Sequence, residues 1–246
     1  MEKIEYEVMF TVENDFWWYR GLHDLVLRFV RRAAAGAKKT MRILDAGCGT
    51  GRMMELLQPY GNIEGFDFSA EALRFCARRG LAGVSQQDIT TWHGGANVYD
   101  VIISLDVLCH ESIADDNAII RMFHQALKPG GMLIVNLPAF ELLRRRHDRA
   151  VHTRKRFTKK ETVAGYRAAG FNVTQASYRL PHLFLIMLCK KWLERLSGDK
   201  RVESDLKPVP RWLNAFLTWC NRLENLWLAS GMTIPFGTSL CIVARK

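Results

Sequence analysis

The sequence lacks long apolar runs and a leader-like N-terminus. No stretch of the 246 residues reaches the roughly 18 consecutive apolar residues that a membrane-spanning helix needs. The first ten residues, MEKIEYEVMF, are acidic and carry no basic region followed by an apolar core, which argues against a secretory signal. We therefore expect a cytoplasmic protein, associated at most with the inner face of a membrane.

The cysteines lack the spacing of a disulfide framework or a zinc site. Six cysteines lie at positions 48, 76, 109, 189, 220 and 241, with no C-x-x-C pair among them. This distribution fits reduced and mostly buried thiols, and we expect no metal. Internal repeats and low-complexity segments are also missing. The length and the 48% share of hydrophobic residues predict one α/β domain over residues 1–246.

Acidic residues are in the minority. The formal charge is +10, which suits nucleic acid, an anionic membrane surface or an anionic substrate and does not choose among them. The excess is concentrated between Arg144 and Lys160, where nine Lys/Arg and one acid give a net charge of +8 (9 − 1). This basic stretch is a candidate for contact with an anion.

A glycine-rich turn organises the first half of the chain. ILDAGCGTGR, residues 43–52, has the pattern of a buried strand, a turn and the start of a helix. Gly47, Gly49 and Gly51 let the backbone approach a ligand where a Cβ would collide. Such a glycine triplet is weak evidence alone, but IEGFD ends at Asp67, 22 positions after Asp45 (67 − 45). An acidic residue about 20 positions beyond the turn suits a ribose diol.

DAGCGTG and the later Asp67 together resemble the S-adenosylmethionine (SAM) site of the class I methyltransferases. SQQDI, the strand that starts at Tyr99 and ALKPGG extend the resemblance in order over residues 43–138. The resemblance implies a Rossmann-like, seven-stranded α/β sheet with helices on both faces. It also implies that SAM, with S-adenosylhomocysteine as the product, is bound by Asp45, Gly47, Cys48, Gly49, Gly51, Asp67, Phe68, Asp88, Ile89 and Leu105. The alternative for Asp88 is a solvated turn residue.

Residues 1–40 are expected to form a helical cap. The stretch from Glu13 to Gly36 has apolar residues at three- and four-residue spacing and is interpreted as one helix. Phe16, Trp17, Trp18 and Tyr19 are adjacent, so they cannot all face a core. The helix is either docked on the edge of the sheet or a lid over the pocket. In the second case Trp18 and Tyr19 would contact the substrate.

Residues 181–234 are expected to form a helical insertion before the last strand. Two amphipathic patterns, at residues 183–196 and 212–228, flank the polar linker SGDKRVESDLKPVPR. A bare methyltransferase core needs only a short hairpin here. The insertion could serve as a substrate roof, a homodimer face or a foot on a membrane surface.

Three histidines are candidates for a general base. His110 follows the fourth strand, where family members often carry a Glu-His pair, but Cys109 stands at the Glu position. His147 and His152 lie in the basic stretch, which is similar to that of a bacterial subgroup of small-molecule methyltransferases. There Arg154 and Arg156 would bind the acceptor. The alternatives are a structural role for His110 and a solvated charged loop for the basic stretch.

Three functions stay open at this stage. The first is methyl transfer from SAM to a small acceptor that is anionic or lipid-like, for example isoprenoid. The second is methylation of nucleic acid such as RNA. The lack of an N/D-P-P-Y/F motif and of an appended RNA-binding module argues against that function. The third is SAM binding without catalysis, as a scaffold or regulator.

Overall fold

The computed structural model describes residues 3–37, 39–196 and 209–246. Within these ranges seven strands form one sheet in the order β3–β2–β1–β4–β5–β7–β6, and β7 is antiparallel to both of its neighbours. The strands are β1 Met41–Ala46, β2 Gly61–Asp67, β3 Val84–Gln86, β4 Tyr99–Leu105, β5 Leu127–Pro138, β6 Asn172–Arg179 and β7 Ser239–Arg245. The predicted seven-stranded sheet is confirmed.

Helices lie before the first strand and in the connections between strands. They are α1 Lys3–Val12, α2 Trp17–Ala35, α3 Arg52–Leu57, α4 Ala70–Arg78, α5 Asp116–Ala126, α6 His147–Ala150, α7 Lys159–Ala168, α8 Phe184–Leu196 and α9 Arg211–Ala229. Side-chain caps start two of them as the sequence predicts, because the Ser69 and Thr158 hydroxyls accept from the amides of Ala72 and Glu161.

Successive side chains of the central strands point to opposite faces of the sheet, so the core consists of one cluster on each face. Leu44 and Ile102 belong to the cluster on one face, which α5 and α7 cover. Ile43 and Ile103 belong to the cluster on the other face, which α2 and α3 cover. Strands buried on both faces explain the nearly continuous apolar runs of β1 and β4. The predicted helices on both faces are confirmed.

The N-terminal region differs from the prediction of one helix starting at Glu13. It forms two helices, and residues 13–15 make the turn between them. Glu13 faces inward there, and its carboxylate accepts from the Thr50 hydroxyl at 2.5 Å and from Arg79 at 2.6 Å. The turn with this buried contact separates the two helices, and α2 begins only at Trp17. That residues 1–246 form one domain, with 1–40 as a cap, stays a prediction.

The insertion between β6 and β7 is helical, as predicted, and consists of α8 and α9. Of the polar linker between them, residues 197–208 lie outside the described residues. Helix α9 packs along α2, so the aromatic run at the start of α2 is covered by the insertion. Among the helices that the structure describes, none has the length and apolarity required to cross a membrane.

Candidate active site

The glycine turn follows β1 and is held against β2. The amides of Gly47 and Cys48 both donate to the Phe66 carbonyl at 2.9 Å. Gly47 has φ +84°, and a Cβ there would lie 2.3 Å from a Val107 methyl. Any side chain would therefore be strained at this position and would collide with the loop after β4. The turn keeps a bare backbone at the carboxyl ends of three adjacent parallel strands.

Asp67 ties the end of β2 to this turn. One carboxylate oxygen accepts from the Gly49 amide and the other from the Ser69 amide, both at 2.9 Å. Burial raises the pKa of Asp67, while the two amides act in the opposite direction. The Tyr6 hydroxyl of α1 lies 3.5 Å from the same carboxylate. Helix α1 thus lies beside Asp67, and the Met9 side chain lies against Gly49.

Asp45 is the second carboxylate of the site. It is buried at the end of β1, and its Oδ2 has no hydrogen-bond partner among the described residues. Burial, with a further contribution from Asp67, raises the pKa of Asp45 to about 7. A buried oxygen without a donor is costly. A cationic group such as the ammonium of an amino acid would supply the donor and the charge that Asp45 lacks.

The turn and the two carboxylates match a known domain. The family model of the methyltransferase domain matches residues 18–176. The chain belongs to the methyltransferase domain family. The match covers the sheet from β1 to β5 and most of β6, and it includes the turn together with Asp45 and Asp67.

Relatives and solved structures agree with this family. The chain is 27% identical over 128 residues to the ubiquinone biosynthesis O-methyltransferase of Bordetella avium, covering 48% of this chain and 51% of that protein. It is 34% identical over 109 residues to phosphoethanolamine N-methyltransferase 1 of Arabidopsis thaliana, covering 40% and 21%. The chain thus spans about half of the first relative and about a fifth of the second.

A solved S-adenosylmethionine-dependent methyltransferase from Mesorhizobium loti shares the fold. The two superpose with a TM-score of 0.57 at 18% identity, over 87% of this chain and 95% of that one. The Rossmann-like methyltransferase fold predicted from the sequence is confirmed.

The remaining residues predicted to bind the donor lie in the turn after β1, on the loops after β2 and β3, and at the end of β4. Asp88 accepts from the amide and hydroxyl of Thr90 with one oxygen, which is the turn role considered as its alternative. Ile89 is buried, Phe68 is 71% exposed, and Leu105 is half-buried at the end of β4. Cys48 is buried against Met54 and Cys76. A role for these five side chains in binding the donor stays a prediction.

Two of the three predicted histidines meet. The rings of His110 and His152 lie 5.7 Å apart, because the backbone pairs His110 with Thr153. Nδ1 of His110 contacts the Ser112 hydroxyl at 2.8 Å, and Nδ1 of His152 contacts Glu111 at 2.6 Å. Burial lowers the pKa of His110, which favours the neutral ring that a base requires. His147 lies half-buried in α6.

The predicted acceptor-binding arginines are engaged with protein carboxylates. Arg156 contacts both oxygens of the buried Asp148, at 2.8 and 3.1 Å, and donates to the Ala139 carbonyl at 3.0 Å. Arg154 contacts Asp116 at 2.8 Å. The net charge of the basic stretch is therefore partly balanced by acids that follow β4 or lie within the stretch. Acceptor contacts by Arg154 and Arg156 stay predictions.

Trp18 and Tyr19 are half-buried at the start of α2, with rings 4.9 Å apart. Trp18 packs against the core, while Tyr19 is close enough to Glu13 and Asp106 for their charges to add to the burial that raises its pKa. Tyr19 thus lies on the side of the turn that faces the loop after β4. A substrate contact by either ring stays a prediction.

The sequence reasoning missed a buried polar group at the ends of β4, β5 and β6. Asp106 accepts from the Asn136 amide at 2.9 Å, and Asn136 accepts from Arg179 at 3.4 Å. Arg179 is 1% exposed, and its Nε lies 3.6 Å from Glu224 of α9. Nε and Nη2 of Arg179 have no hydrogen-bond partner among the described residues. The available signal was an arginine at the end of a predicted strand.

Proposed function

We propose that the chain transfers a methyl group from SAM to a small acceptor that is anionic or lipid-linked. The observation that supports SAM as the methyl donor is the pairing of Asp67 with the Gly49 amide, beside a buried Asp45 whose Oδ2 has no hydrogen-bond donor among the described residues. Asp67 offers carboxylate oxygens to a ribose diol, and Asp45 offers one to an ammonium. SAM, when bound, supplies an activated methyl group on a sulfonium.

The protein contributes alignment, a dry environment and a base. Displacement at a methyl carbon needs the nucleophile in line with the sulfur, so positioning accounts for much of the rate. Asp106 follows the carboxyl end of β4 and has a positive φ of 57°. Its carboxylate accepts a hydrogen bond from Asn136, which lies near the end of the neighbouring strand β5. Asp106 and His110 follow β4, and His152 reaches His110 from the basic stretch after β5. These side chains are candidates for accepting the proton of a hydroxyl or amine acceptor.

Arg179 supports an anionic group on the acceptor. Its Nε and Nη2 are buried and have no hydrogen-bond partner among the described residues, and both lie on one edge of a planar guanidinium. A carboxylate or phosphate binds such an edge through two parallel hydrogen bonds. Burial raises the pKa of the nearby Glu224, while Arg179 acts in the opposite direction. The acceptor would lie with its anion at Arg179 and its nucleophile toward Asp106.

The experiment combines donor binding with an acceptor screen. Purified protein is titrated with SAM by calorimetry, and labelled SAM is then offered with small-molecule and RNA extracts. We expect SAM binding and label in an acidic small molecule. Arg179→Lys keeps the charge and loses the two-point fork, so it should raise KM for that acceptor by about tenfold and leave SAM affinity unchanged.

Arg245→Lys is the matched control, because Arg245 is exposed on the adjacent strand β7 and donates only to the Gly130 carbonyl among its described contacts. Label found in RNA alone would contradict the proposal. An equal loss of SAM and acceptor binding in Arg179→Lys would remove Arg179 from the acceptor site.

A further inference from the structure

Helix α9 presents its polar side to the protein and its apolar side to the exterior. Its buried positions include Thr218, Asn221, Glu224 and Asn225. Its exposed positions carry large apolar side chains with 48–72% exposure, namely Trp212, Phe216, Trp219, Leu223, Leu226 and Trp227. Trp212, Phe216, Trp219 and Leu223 follow one another at three- and four-residue steps, and the adjacent Leu226 and Trp227 lie three and four residues beyond Leu223, so the set forms a continuous stripe. We call this the α9 stripe.

Hydrogen bonds fix the helix in this orientation. Asn221 donates to the Trp17 carbonyl at 2.9 Å, and Asn225 donates to the Gly21 carbonyl at 2.8 Å. On the same side Glu224 accepts from the Leu180 amide at 2.9 Å. A rotation of α9 that hid the stripe would break all of these buried contacts. The outward stripe is therefore a built feature of the fold.

Helix α8 adds a second exposed apolar set. Leu185, Ile186, Trp192 and Leu193 are 50–68% exposed. Met187 of α8 and Leu217 of α9 pack against the same buried cluster, which includes Leu183. Both helices of the insertion are thus anchored at one place and carry outward apolar side chains. Such a concentration of exposed apolar area marks an interaction surface.

The charges on the two helices identify the partner. Among the side chains of α8 and α9 that the structure describes, Glu224 is the one carboxylate, and it is buried. Lys190, Arg211 and Arg222 are exposed. Tryptophans with nearby cations suit the interface of a membrane, where the indole lies at the level of the head groups and cations meet anionic lipid.

We infer that the α9 stripe, together with the exposed face of α8, seats the protein on the surface of an anionic lipid bilayer. A second copy of the chain fits less well, because a symmetric contact would bring the same cationic helices together without an exposed carboxylate among their described side chains. The contact is peripheral, since the apolar side chains enter only the outer part of the bilayer.

The bilayer contact also gives the acceptor a route, a step that rests on the proposed function. A groove of about 480 Å³ is lined by Leu223 and Trp227 of the α9 stripe and by Glu224. Glu224 lies 3.6 Å from Arg179, so the groove leads from the stripe toward the buried arginine. A lipid with an anionic head would pass along it without leaving the membrane surface.

Vesicle flotation tests the bilayer contact directly. The full chain is mixed with vesicles of equal parts phosphatidylcholine and phosphatidylglycerol, or of phosphatidylcholine alone. We expect binding to the mixed vesicles and weaker binding to the neutral ones. Replacing Trp212, Trp219 and Trp227 by Ser should lower the bound fraction by about tenfold or more, because affinity follows the apolar area inserted. Arg211→Ser with Arg222→Ser should lower binding only to the anionic vesicles.

Ile4→Ser is the matched control, because Ile4 is 60% exposed on α1, outside the insertion, and its loss should leave flotation unchanged. SAM titration of each variant verifies folding and keeps this test separate from that of the proposed function. Failure of the full chain to float with the mixed vesicles overturns the inference. So does a stable dimer without lipid that the triple tryptophan variant abolishes.

Discussion

Asp45 and Asp67 lie at the ends of neighbouring strands, and the charge of Asp67 contributes to the raised pKa of Asp45. Asp67 has two backbone amides, whereas Asp45 has an oxygen without a partner among the described residues. The protein therefore keeps one carboxylate satisfied and leaves the other dependent on a ligand. The two residues can therefore be tested by different measurements, the pH dependence of stability for Asp45 and the affinity for SAM for Asp67.

Asp45→Asn should change how stability depends on pH. The carboxyl titrates near 3.8 in its ordinary environment and near 7 when buried here, so between these values the folded state holds a proton that the unfolded state has lost. Stability of the SAM-free protein therefore falls as pH rises through that window. The variant removes this slope and should be more stable at pH 8 by up to about 4 kcal/mol. Denaturant unfolding at pH 5 and pH 8 measures the difference.

Asp15→Asn, which changes an exposed carboxylate in the turn before α2, is the control and should keep the wild-type slope. An unchanged slope in Asp45→Asn would show that Asp45 is already ionised in the folded state.

Asp67→Ala should weaken SAM binding by about 1–3 kcal/mol, the loss expected for hydrogen bonds to a charged group. Because Asp67 also holds the amides of Gly49 and Ser69, Asp67→Asn serves as the second variant, since it retains one carbonyl oxygen. It should bind SAM with intermediate affinity. Calorimetry that finds wild-type affinity in Asp67→Ala would place the ribose elsewhere.

At the scale of elements, the basic stretch between β5 and α7 is held by its own ion pairs. Arg156→Ala leaves Asp148, a buried carboxylate, without its two-point partner. We expect a loss of about 3–5 kcal/mol in the free energy of unfolding. Arg154→Ala is the contrasting variant, because Asp116 keeps Lys155 at 3.0 Å, and its loss should stay below about 1 kcal/mol. Thermal unfolding of both variants provides the comparison, and equal losses would contradict this assignment.

The elements that could be predicted are those with local signals. Strand β4 is marked by its continuous apolar run, and α4 and α7 are marked by the caps Ser69 and Thr158. Residues 1–40 were expected to be helical, but a separate helix α1 was not predicted. Its place is fixed by contacts far along the chain, such as the one between Tyr6 and Asp67. The pair of Arg179 and Glu224 was missed for the same reason, since spacing in sequence carries no sign of it.

At the scale of the whole molecule, the positive charge is distributed in two ways. In the basic stretch it is partly balanced by carboxylates that follow β4 or lie within the stretch, such as Asp116 and Asp148. On the insertion the described exposed charges are cationic. The net charge of +10 therefore does not indicate where an anion binds. The binding site depends on which cations are paired with protein carboxylates and which are not.

The packing of α9 on α2 has a consequence for the order in which the chain folds. Asn221 and Asn225 reach backbone carbonyls 204 positions earlier, and α2 covers one whole cluster of the sheet. Contacts of such long range form late, because loop closure over that distance must come first. During synthesis, α2 is made about 200 positions ahead of its partners on α9, so its outer side is matched only after α9 has followed. Until then the side of α2 that later packs on α9 is open to solvent.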